Sequence, residues 1–80
     1  MQHFLLVYDR RAGKILREDV FDDGKVALTE RFRVERLHRG DPNIEVVVLG
    51  AASRQALYRT HARYFLTLRE LLSDAYYEAL

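Results

Sequence analysis

The chain has no cysteine and no tryptophan, a single proline (Pro42) and four glycines in 80 residues. Without cysteine, a disulfide framework and any thiolate-ligated zinc site are excluded, and the composition agrees with a reducing compartment. Proline and glycine are too sparse for a linker or a low-complexity tail. Charge of one sign is also missing, since 13 basic and 12 acidic residues leave a net charge of +1. That balance gives no global attraction to nucleic acid or to an anionic membrane. Lysine is nearly absent: Lys14 and Lys25 stand among arginines, and arginine enrichment by itself names no ligand. The apolar run from Phe4 to Tyr8 is too short for a signal core or a membrane span. These absences leave one soluble cytoplasmic domain over residues 1–80, with no membrane partner, as the expectation.

Nearly half the residues are apolar, and their order is informative. Ile44-Glu45-Val46-Val47-Val48-Leu49 is almost wholly apolar, the mark of a strand covered on both faces. Gly50 ends it, and Ser53 stands where a cap for a following helix is needed. Phe4 to Tyr8 reads as a first strand, apolar on both faces. Asp9 to Gly13 makes a turn, and Lys14 to Phe21 returns as a second strand. The polar middle of that strand (Arg17, Glu18, Asp19) puts it at a sheet edge. Lys25 to Arg39 reads as a helix, capped by an aspartate of the Asp22-Asp23 pair and closed by Gly40. Its expected buried stripe is Val26, Ala27, Val34 and Leu37, with Leu28 and Phe32 on a second stripe able to touch another element. From Arg54 the pattern predicts one long helix, with Leu57, Tyr64, Phe65, Leu68, Leu72 and Ala75 on one face and Ser73 a point where it can bend.

The order ββαβα gives a two-layer α+β domain with a three-stranded sheet. The apolar first strand belongs in the centre, so the spatial order is 2-1-3. That order makes the third strand an apolar edge, which calls for a cover. A straight final helix would be about 40 Å long at 1.5 Å per residue, longer than a domain whose radius of gyration is about 12 Å. The expected contact surface is therefore Val47 and Leu49 with Leu71, Leu72, Tyr76, Tyr77 and Leu80, engaging a second copy or another protein.

Two polar residues sit where apolar ones are expected. His61 falls inside the stripe of the last helix, as a general base, a pH-sensitive interface residue or a hydrogen-bonded core histidine. Glu30 falls inside the stripe of the first helix, where a bare carboxylate is costly. It either pairs with an arginine, keeps its proton or rolls the helix outward. Meeting one another, the two would form an acid–base couple. No histidine pair has metal-ligand spacing, and the sequence from Gly50 to Ser53 lacks the lysine of a phosphate-binding loop, so no metal or cofactor is expected. The leading function is a small non-catalytic interaction module. The alternative is nucleic-acid binding through Arg10, Arg11 and Lys14 at the hairpin tip and Arg33 and Arg36 on the first helix.

Overall fold

The computed structural model describes residues 1–65. Strands β1 (Gln2–Asp9) and β2 (Lys14–Phe21), helix α1 (Gly24–Leu37), strand β3 (Ile44–Ala51) and a short helix α2 (Arg54–Thr60) follow in order, with a 3-10 turn at Ala62–Tyr64. The sheet order is β2-β1-β3, and β1 is antiparallel to both neighbours. The α+β class, the element order and the strand order are those expected from the sequence.

Local chemistry accounts for each boundary. The Asp9 carboxylate accepts from the backbone N–H groups of Arg11 and Ala12 at 2.9 and 3.0 Å, which shapes the hairpin turn. Gly13 closes that turn at φ +68°, a backbone state that side chains resist. Asp23 caps α1 by accepting from the Lys25 N–H, and Gly40, at φ +89°, turns the chain away beyond its C-terminal end. The hairpin register slips between Val7 and Tyr8, whose partners are Arg17 and Ile15. Leu16 is the extra residue, and the bulge leaves it half exposed.

Two apolar clusters lie on opposite faces of the sheet. Leu5 and Val7 pack with Val34 of α1, Val46, Phe21, Ile44 and Val48. Phe4 packs with Ala51, Leu49 and Leu57 of α2, together with Ala56 and Phe65. Successive strand residues point to opposite faces, so α1 covers one side and α2 the other. The ion pairs obey the same parity: Arg17 reaches Glu30 of α1, while the next residue, Glu18, reaches Arg54 of α2. Layering thus differs from the two layers expected, because the sheet lies between its helices. That is why Phe4, Leu5, Leu6 and Val7 are all buried in sequence.

Helix α1 is also rolled from its expected setting. Ala27 and Val34 are buried, but Val26 and Leu37 are 51% and 67% exposed. At 100° per residue the expected stripe would have centred on Glu30, and the actual setting differs by about 60°. The roll moves the carboxylate to the margin of the contact. No charged side chain is fully buried among the described residues, and two outward apolar side chains cost less than one desolvated carboxylate. The second stripe, Leu28 and Phe32, is exposed as well. Among the described residues it has no helix to meet, since α2 is on the far side of the sheet.

The single long helix from Arg54 is not formed. Helix α2 stops at Thr60, and His61 leaves the helical conformation at φ −129°, ψ 40°. Tyr58, Thr60 and His61 are poor helix formers, and the Thr60 hydroxyl donates to the carbonyls of Ala56 and Leu57. The break swings Tyr64 onto Tyr8, edge to face at 5.2 Å, while Phe65 rests beside Tyr58 and under the Arg54 guanidinium. These contacts gather aromatic surface over the sheet that a straight helix would carry past it.

Candidate functional site: the β3 edge and the α1 flank

Strand β3 bonds to β1 on one side only. Among the described residues no strand pairs with its other side. Val46 and Ala51 are buried, Ile44, Glu45, Val47, Val48 and Leu49 are half-buried, and Gly50 is exposed. Pairing with β1 sets Val46 and Val48 on the α1 face and Val47 and Leu49 on the α2 face. The strand has no proline, no lysine and one charge, Glu45. An edge of this length and polarity lacks the devices by which strands avoid one another.

Helix α1 presents one of its two exposed flanks beside this edge. Arg31, Glu35 and His38 line a cleft of about 330 Å³ with Ile44, Glu45, Val46 and Val47. Glu30, on the other side of the helix, reaches Arg17 of β2. Leu28 and Phe32 lie on the Glu35 side by helical angle, so they overhang β3 while Val26 and Leu37 overhang β2. The β3 side of the molecule therefore joins an unpaired strand to exposed apolar side chains, 43% and 53% accessible at Leu28 and Phe32. Sequence patterning found both residues but assigned them to an intramolecular contact. The roll of α1 is what turns them outward.

The remaining expected site residues separate. Leu71, Leu72, Tyr76, Tyr77 and Leu80, and the bend at Ser73, lie outside the described residues. His61 is half-buried at the end of α2, with its backbone N–H bonded to the Leu57 carbonyl and its ring 6.4 Å from that of Tyr64. Glu30 is on the other face, so the sheet stands between them and the acid–base couple does not form. Of the basic residues, Arg10 pairs with Glu45 at 3.3 Å and donates to the Pro42 carbonyl at 3.1 Å. Arg33 pairs with Glu30. Arg11, Lys14 and Arg36 are exposed. No group of three or more metal-ligating side chains occurs among the described residues.

Glu30 takes the first and third of its expected outcomes together, pairing with arginine at the rolled margin. The hydrogen bond from Arg33 holds its carboxyl below the ordinary glutamate range, and Arg17 adds to the effect against partial desolvation. A lowered folded value stabilises the fold above the ordinary glutamate range, and that contribution is lost as pH falls through the folded value. Glu30→Gln is therefore expected to be less stable than the parent at pH 6, with the gap closing on acidification toward pH 3. Urea melts across a pH series measure it, and a gap independent of pH would refute the linkage.

No protein-family model, no curated protein and no solved structure matches this chain.

Proposed function

We propose that the chain is a small, non-catalytic protein-interaction module that engages its partner through the β3 edge. The observation that carries this reading is the apolar strand Ile44–Ala51 with one unpaired side among the described residues. Backbone groups along such an edge supply directional hydrogen bonds, and the half-buried valines supply apolar area. Residues Leu71, Leu72, Tyr76, Tyr77 and Leu80 belong to the same reading on their apolar pattern alone. The test is solution mass over a micromolar concentration series, for the parent and for Val47→Lys. The parent is expected to exceed the monomer mass, and the variant to be folded by circular dichroism and monomeric, because lysine at an edge disfavours strand addition. An associated parent whose variant keeps the same mass would overturn the reading, whereas a monomeric parent would leave a different protein as the partner.

A further inference from the structure

We infer that the occupant of the β3 edge is a second copy of this chain, joined antiparallel across a two-fold axis at Val47, with the two α1 helices packed side by side. The inference rests on the interaction-module reading above and adds the partner and the register.

The strand fits itself. With Val47 on the axis, Val46 lies opposite Val48 of the second copy, Glu45 opposite Leu49, and Ile44 opposite Gly50. Every residue then meets one from the same face of the sheet, as a continuous sheet requires. The one charge meets an apolar residue, whereas an axis at Glu45 would set two carboxylates against each other. An axis at Val48 would put Val46 against Gly50 and keep a single valine pair, Val48 with its copy. On the α1 face, Val46 and Val48 extend the cluster around Val34 from one copy into the other.

The helices fit as well. Val34 belongs to one cluster with Leu5 and Val7 of β1 and Val46 of β3, while Glu30 on the other flank reaches Arg17 of β2. With α1 standing over the line between β1 and β3, its copy would lie two strand spacings away, about 9.6 Å at 4.8 Å per spacing. Packed helices sit 8–10 Å apart. The cleft lined by Arg31, Glu35 and His38 with Ile44, Glu45, Val46 and Val47 sets that stretch of α1 along the β3 edge, and a two-fold axis at Val47 runs the two helices antiparallel. A helix pair centred at Glu30 brings Leu28 against Phe32 of the second copy and Phe32 against its Leu28. Glu35 is already paired with Arg31 of its own helix at 2.8 Å, so this flank carries a satisfied ion pair beside its apolar residues. Strand pairing and apolar flank are compatible with this arrangement, which the experiment below tests.

Because the chain has no cysteine, Val47→Cys introduces a single thiol on the axis, and air oxidation reports whether two copies meet there. A covalent dimer forming in most of the protein at micromolar concentration is the expected result. Phe32→Asp is expected to weaken association at least tenfold, and Leu37→Asp, on the opposite flank, to leave it unchanged. An associated parent whose Val47→Cys form gives no covalent dimer, or whose Phe32→Asp form associates as before, would overturn this arrangement and leave the broader reading standing. A monomeric parent would overturn the second-copy arrangement as well.

Discussion

Leu5→Ala is expected to lower the unfolding free energy by about 2–5 kcal/mol, the range for deleting a fully buried leucine side chain. A domain of this size holds roughly 4–12 kcal/mol in total at about 0.05–0.15 kcal/mol per residue, so the loss takes a large share. Leu5 is wholly inaccessible, under α1 in the central strand, and belongs to the cluster with Val7, Val34 and Val46. Truncation leaves a cavity between helix and sheet that neither side can close, because each is fixed by its own hydrogen bonds. Leu16→Ala is the matched control. The bulge turns Leu16 outward at 50% exposure, and its loss is expected to stay within about 0.5 kcal/mol. Urea unfolding followed by circular dichroism compares them, and equal midpoints for the two variants would refute the assigned faces.

The second large effect is one of salt. A chain that held six phosphates of duplex DNA through its arginines would lose about five decades of affinity for each tenfold rise in salt. An assembly held by apolar surface at β3 and α1 is expected to hold its mass or gain it over the same range. The second pattern is expected here because Arg10 and Arg33 already face Glu45 and Glu30. Sedimentation through a salt series, beside fluorescence anisotropy with short single- and double-stranded probes, measures both. Micromolar probe binding that vanishes with salt, from a chain monomeric throughout, would favour nucleic acid and sink the module reading.

Strands and turns were legible in the sequence because their signals are local. Asp9, Gly13, Asp23 and Gly40 each act within a few residues of themselves, and β2 runs from Lys14 to Phe21 as its pattern predicts. Strand order followed from the contrast between Phe4-Leu5-Leu6-Val7 and the charged middle of β2. The roll of α1 was not legible. It depends on whether Glu30 finds Arg17 across the sheet margin, and a helical wheel of α1 alone does not contain Arg17. Nor was the break at His61, since Leu57, Tyr64 and Phe65 keep a helical period that a straight helix would satisfy equally well. What decides against it is Tyr8, some fifty residues earlier, whose ring receives Tyr64. The β3 edge was readable from the sequence, whereas the apolar flank that accompanies it depended on that same roll.

The two margins of the sheet are unlike, and under the proposed strand addition the difference would limit stoichiometry. Strand β2 is tied to both helices, through Arg17 to Glu30 and through Glu18 to Arg54. Its centre carries charges of both signs that are already engaged, and the bulge at Leu16 disrupts the ladder at the end nearest the turn. Growth by strand addition needs two receptive margins, one to join and one to be joined. Among the described residues one margin is the open apolar edge proposed to receive a partner, and the other carries engaged charges and a kink. A pair formed through β3 would present only β2 at both of its outer borders, so addition would stop at two copies and fibres would not form.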